Sequence, residues 1–219
     1  MTDKKKIAVI LSGCGVYDGA EIHESVLTLL AIEQQHASYV CFAPDIDQHH
    51  VINHISGEAM DERRNVLTES ARIARGDIKP LSDFDVADFD ALILPGGFGA
   101  AKNLSSFAFD GAACSVNGEV EKALKDMVSA SKPVGALCIS PVILSKIFGA
   151  IAVTIGSDEE TATAIKAMGS EHVKTTHGEV VIDEDHKFIT TPCYMLDASI
   201  SQIMFGATAI VREVLKLTK

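Results

Sequence analysis

Four short runs constrain this chain more than anything else in it: "KIAVIL" (6–11), "SYVCFAP" (38–44), "ALILPGG" (91–97) and "PVGALCI" (133–139). Each is apolar along its length rather than alternating with polar residues, which predicts strands buried on both faces. Longer amphipathic segments separate them, the first from Glu21 to about Gln35, and such alternation is that of a βαβ chain. A doubly wound α/β fold with a mostly parallel sheet follows. A length of 219 residues suits a single domain over 1–219 with a substantial core.

The remainder is less regular. Residues 45–90 are polar, with one helix candidate near 61–74, and read as an excursion at the edge of the sheet. Further on, helices are expected at about 142–148 and 158–168, with a strand "AVTIG" between them. "HVKTTHGEVVIDEDHKFITTP" then alternates apolar and polar residues around "DEDH", the pattern of a small β-hairpin excursion. A last helix is expected from about 197 to 217.

A formal charge of −11 argues against a nucleic-acid partner or an anionic membrane surface, since both need clustered Lys and Arg. The basic flank and apolar run of "MTDKKKIAVILSG" fit a first buried strand better than a signal segment, because the run meets Gly and Asp at once. No apolar stretch approaches the ~18 residues of a membrane span. Five cysteines, odd in number and scattered, match neither a disulfide framework nor a zinc pair, and a reducing cytoplasm is the expected setting.

Cys138 ends a predicted buried strand and is followed by a helix start with Pro141 in its first turn. That placement puts the thiol at the carboxyl edge of the sheet, where open α/β folds bind ligands, with helix amides directed toward the sulfur. The alternative is a buried filler cysteine. "LPGGFGAAKNL" (94–104) has the same strand-then-turn form. Gly96 and Gly97 there would let a backbone N–H approach a substrate oxygen, or simply make a tight turn. In "GAEIHESVLTLLA" (19–31), Glu24 shares a helical stripe with Leu27 and Ala31 and is expected to face inward, where a carboxylate needs a proton or a partner. An acid that merely complements the helix dipole better describes Glu21.

Taken together, the Gly-rich loop with "EIHE", then "LPGGFGAAKNL", then "LCISP" resemble the PfpI-like branch of the class I glutamine amidotransferase-like superfamily. "VILSGCGVYDGAEIHE", "GGFGAAKNL" and "TTPCYML" resemble, more narrowly, its ElbB group, the isoprenoid-biosynthesis proteins with an amidotransferase-like domain. The resemblance spans nearly the whole chain. It implies a flavodoxin-like fold, a nucleophile-elbow cysteine at Cys138, an acid beside it at Glu24, a glyoxalase-type activity and a homodimer.

The departures are informative. PfpI-type peptidases carry His directly after the elbow cysteine, and Ile139 stands there instead, so no peptidase dyad is expected. The His-x-Glu spacing of the glutaminases occurs only at His177 and Glu179, inside the predicted hairpin. Gly156 and Ser157 stand where some relatives place a histidine, which leaves a carboxylate as the general base. Cys14 in the first loop, Cys193 and Tyr194 are candidates for the pocket wall. Cys41 reads as core and Cys114 as a surface or loop residue. His49, His50 and His54 lack carboxylate or thiolate company, and neither a metal nor another cofactor is expected. The tip Asp183, Glu184 and Asp185 reads as a solvated charge run.

The expected chemistry is a glyoxalase III-like conversion of a small aldehyde, glyoxal to glycolate, through a hemithioacetal on Cys138. The oxyanion is held by N–H groups near Gly97 and Ile139, and Glu24 shuttles the proton. It predicts a raised pKa for Glu24 and a lowered one for Cys138. The competing expectation is a non-catalytic redox or stress-responsive protein whose cysteine is an oxidation sensor and which acts through a partner linked to isoprenoid biosynthesis. A glutaminase or amidase half-site is a third class.

Overall fold

The apolar runs form the centre of a seven-stranded sheet. The computed structural model describes residues 4–218. In chain order the elements are β1 (Lys6–Ile10), α1 (Ile22–Gln34), β2 (Ser38–Ala43), α2 (Val66–Ile73), β3 (Ile78–Pro80), β4 (Ala91–Leu94), α3 (Phe98–Lys102) and α4 (Phe107–Asp110). They continue with α5 (Gly118–Ser129), β5 (Val134–Leu137), α6 (Pro141–Phe148), β6 (Ala152–Val153), α7 (Glu159–Ala167), β7 (Glu171–His172), β8 (Val181–Asp183), β9 (Phe188–Thr191) and α8 (Ile200–Leu217).

The strand order is β3-β2-β1-β4-β5-β9-β8, parallel throughout except for β8, which runs antiparallel to β9. This is the doubly wound, flavodoxin-like arrangement. The chain reverses its direction of travel across the sheet between β1 and β4, so the carboxyl ends of these two strands open the crevice where such sheets bind ligands.

Residues of opposite parity pack the two faces. Ala8, Ile10, Leu92, Leu94, Val134 and Ala136 join one core with α5 and α6, while Ile7, Val9, Ile93 and Leu137 join the other with α1 and α8. All ten are fully buried, which explains why their strands show no polar alternation. On the described residues no helix is long and apolar enough to cross a membrane.

Three expectations shift. The polar stretch 45–90 contributes an edge strand, β3, paired with β2 at Cys41↔Ile78, as well as the shorter helix α2. "AVTIG" supplies only the two residues of β6, which pair with β7 in a separate ribbon. The hairpin β8–β9 is no excursion: β9 lies in the main sheet beside β5, with Leu137 opposite Thr191, because all four residues of "FITT" are buried.

Candidate functional site

β5 stops at Leu137, and Cys138 takes φ +59°, a conformation costly for a residue with a Cβ. Three bonds hold it there. The Cys138 N–H donates to Thr191 O at 2.9 Å, the Ser140 N–H donates to Leu137 O at 3.0 Å, and the buried Ser140 hydroxyl donates to Pro95 O at 2.7 Å. Pro141 opens α6 immediately afterwards. The result is a sharp strand-to-helix elbow with the thiol at the carboxyl edge of the sheet, tied to the end of β4.

That end of β4 carries the two glycines. Gly97, at φ +97°, has the first loop pressed against it: a Cβ would lie 2.4 Å from Glu21 N and from Gly19 O. Gly96 is confined by the site itself, since a Cβ there would lie 2.3 Å from Cys138 Cβ, 2.6 Å from Glu24 Oε2 and 2.9 Å from Cys138 Sγ. Bonds from Glu21 N to Gly96 O (2.9 Å), Phe98 N to Val16 O (2.8 Å) and Gly99 N to Gly19 O (2.8 Å) clamp the loop onto this turn.

α1 brings in the acid. Glu21 caps the helix by accepting the Glu24 N–H at 2.6 Å, and Glu24 points inward with no solvent exposure. Its Oε2 accepts the Gly96 N–H at 2.9 Å, its Oε1 accepts the Tyr194 N–H at 3.1 Å, and the Cys138 thiol stands beside its carboxyl at Gly96. Burial, reinforced by the Glu21 charge, raises the Glu24 pKa to about 7 against the stabilising pull of the Tyr194 N–H, the thiol and the Gly96 N–H.

The thiol departs from expectation. Burial first, and then the Glu24 charge, hold the Cys138 pKa up, while the N–H groups of Gly97 and Ile139 directed at the sulfur act the other way. A lowered value would require an exposed sulfur with no anion beside it, and Cys138 has neither. Between them the pair gives up its first proton from Glu24. The resting form above pH 7 is therefore a thiol beside a carboxylate, which is the arrangement of a nucleophile with its base in place.

Among the remaining candidates, Gly97, Ile139 and Tyr194 line a cleft of ≈ 380 Å³ over Cys138, together with Val16, Phe98 and Met195. Gly96 has a different part from an oxyanion donor, because its N–H is spent on Glu24. Cys14 does not line the cleft: it sits between the turns at Gly13 (φ +112°) and Gly15 (φ +126°), where burial raises its pKa. Cys193 is buried beneath the cleft with its sulfur facing Gly206 of α8, and does not line it. Cys41 is core, and Cys114 is in a loop but buried rather than at the surface. His177, Glu179, Gly156 and Ser157 are not among the residues that line the cleft. His49 packs on His50 and Phe109, and His54 stacks on Tyr17.

Several residues at the site escape a reading of the sequence. Ser140 couples the two turns, with its place before Pro141 as the only signal. His23 Nδ1 lies 2.8 Å from Tyr194 Oη and fixes that ring at the cleft wall. Asp158 and Glu160, from the start of α7, stand at the rim, where "SDEET" carried the signature of a helix cap.

Comparison with known proteins gives a consistent result. The model of the DJ-1/PfpI family matches residues 77–194. The human protein named glutamine amidotransferase-like class 1 domain-containing protein 3, mitochondrial, is 48% identical over 223 residues, covering 97% of this chain and 83% of its own length. A crystal structure of an isoprenoid biosynthesis protein with amidotransferase-like domain from Ehrlichia chaffeensis superposes with a TM-score of 0.89 at 35% identity, covering 96% of this chain and 99% of that one. The glyoxalase III of Candida albicans shares the fold, with a TM-score of 0.62 at 12% identity and 98% of both chains covered.

Proposed function

The chain belongs to the DJ-1/PfpI family, and from that premise we propose that it is a cysteine-dependent enzyme acting on small reactive aldehydes, converting glyoxal to glycolate. The observation that carries this reading is the Cys138 thiol set beside the buried Glu24 carboxyl beneath an open cleft, with the N–H groups of Gly97 and Ile139 directed at the sulfur.

In the proposed reaction, the Cys138 thiol passes its proton to the Glu24 carboxylate as Sγ bonds to one aldehyde carbon. Glu24 hands that proton on to the former carbonyl oxygen to complete the hemithioacetal, and the N–H groups of Gly97 and Ile139 stabilise the oxygen's developing charge. Glu24 then removes the proton from that carbon and returns it to the neighbouring carbon, while the hydroxyl proton moves to the neighbouring oxygen, leaving a glycolyl thioester. Water cleaves the thioester, releasing glycolate and restoring the thiol. The buried carboxyl suits both directions of transfer, since a pKa of about 7 lets it accept and donate at neutral pH.

The test is glycolate formation from glyoxal by the wild type, Cys138→Ser and Glu24→Gln. The reading expects turnover in the wild type and none in Cys138→Ser; equal rates in both would sink it. The second reading, a redox-responsive protein acting through a partner, draws support from the half-protonated Glu24 carboxyl, which could hydrogen-bond an oxidised sulfur. Selective oxidation of Cys138 under mild peroxide, without aldehyde turnover, would favour it.

Either reading needs a reducing interior. The human relative's name assigns that protein to mitochondria, so for this chain the proposal covers a mitochondrial as well as a cytoplasmic setting. A homodimer is part of the same proposal, supported by the exposed apolar row Ile22, Val26 and Leu30 on α1.

A further inference from the structure

We infer that the cleft over Cys138 takes carbonyl compounds with an apolar body and no anionic group, neutral or positively charged at the end away from the carbonyl. This deepens the reading of Cys138 as a nucleophile toward aldehydes and rests on it.

Size is the first argument. The cleft encloses ≈ 380 Å³, within the range of sites that hold whole small-molecule ligands, and a two-carbon dialdehyde fills only a small part of it. The walls are the second. Val16, Phe98, Ala101, Phe107, Ile139 and Met195 supply them, and Phe98 keeps 48% of its surface exposed. Water leaving such walls favours a ligand that brings apolar surface of its own.

Charge is the third argument. Apart from Cys138 and Tyr194, the ionisable lining residues are Asp158 and Glu160, both acids, and no Lys or Arg is among them. Asp158 accepts the Thr161 N–H at 2.8 Å, and its bonds to Thr161 hold its carboxyl below the usual range, so it is anionic at neutral pH. The neighbouring cation, Lys102, is engaged: its Nζ lies 5.1 Å from the Phe98 ring centroid and donates to Tyr17 O at 2.9 Å. A ligand carboxylate would therefore meet two acids at the rim, the Glu24 carboxyl deeper in, and no Lys or Arg among the lining residues. An amine or a neutral aryl group instead finds carboxylates and aromatic faces. Oxo acids and glutamine, which each carry a carboxylate, are disfavoured on the same ground.

The test follows the Cys138 peptide by mass during alkylation with iodoacetamide, an N-aryl iodoacetamide and iodoacetate, each rate divided by that of free glutathione. The inference expects iodoacetate to be slowed about tenfold relative to iodoacetamide, and the aryl reagent to be the fastest. In the double variant Asp158→Asn, Glu160→Gln most of the iodoacetate penalty should vanish; Asn retains the capping oxygen that α7 needs. Equal normalised rates for iodoacetate and iodoacetamide, or a penalty untouched in the double variant, would overturn it. In parallel, turnover of an arylglyoxal should exceed that of glyoxal, and the same arylglyoxal carrying a ring carboxylate should be the poorest; equal turnover of the carboxylated and neutral arylglyoxals overturns the inference while leaving aldehyde chemistry standing. Charge discrimination in alkylation without turnover of any aldehyde supports the inference and counts against the glyoxalase reading alone.

Discussion

Gly96 donates its backbone N–H to Glu24 Oε2 at 2.9 Å, and the missing side chain of the same residue is what lets the Cys138 sulfur come up against that carboxyl. A methyl group at this position would fall 2.3 Å from Cys138 Cβ. Gly96→Ala is therefore expected to drive the elbow away from α1. Alkylation of Cys138 by iodoacetamide at pH 7.5 should fall at least about tenfold, and overpacking should destabilise the fold by about 1–3 kcal/mol in urea titrations. A variant with wild-type alkylation and stability would show that the two turns are not in register as described.

Thiol reactivity should follow the ionisation of Glu24. With its pKa raised to about 7, the carboxylate is available as a base only above that value. Alkylation of Cys138 and any aldehyde turnover should both rise through an inflexion near pH 7. In Glu24→Gln the inflexion should move upward to that of the buried thiol alone, and the rate at pH 7.5 should drop by about 10²-fold or more. An unmoved profile in the variant would assign the inflexion to another group.

Stability should fall with rising pH over the same interval. Glu24 binds its proton more tightly folded than unfolded, so the native state holds more protons between the ordinary Glu value of 4.5 and about 7. Its favourable contribution is complete below pH 4.5 and is lost as pH climbs through 7, to an extent on the order of 3 kcal/mol. Chemical denaturation across pH 5 to 8 measures the slope. Glu24→Gln should flatten it, and a slope that persists would place its origin elsewhere.

Cys14 tests the boundary of the site. It does not line the cleft, and Cys14→Ser should keep the alkylation rate of Cys138 within about twofold of wild type. A large loss would mean that the first loop transmits more to the elbow than its backbone bonds account for.

The sheet centre was legible because burial on both faces leaves no polar alternation. β1, β2, β4 and β5 each present that pattern, and the elbow follows from where β5 must stop. β3 was not legible, since "IKP" is three residues long and one of them is charged. The alternation around "DEDH" correctly indicated the hairpin, but "FITT" carries two threonines that pass for exposed positions and are in fact enclosed by α8 and β5. In the site, residue type and helical spacing were enough to turn Glu24 inward. Which glycine N–H faces the acid and which the sulfur depends on one peptide's rotation, and that is not written in "PGG". The thiol's pKa was misread for a related reason: a helix start suggests a thiolate, whereas enclosure beside a carboxylate outweighs it.

The order of the strands has a consequence for how the protein can be dissected. Glu24 arrives after β1, Gly96 after β4, Cys138 after β5 and the Tyr194 N–H after β9, and only the assembled sheet makes these four neighbours. A fragment cut to the family-matched span 77–194 would retain the cysteine and lose the acid. The pairing of thiol and acid is thus a property of the whole chain, and it lasts only as long as the sheet holds together as a unit.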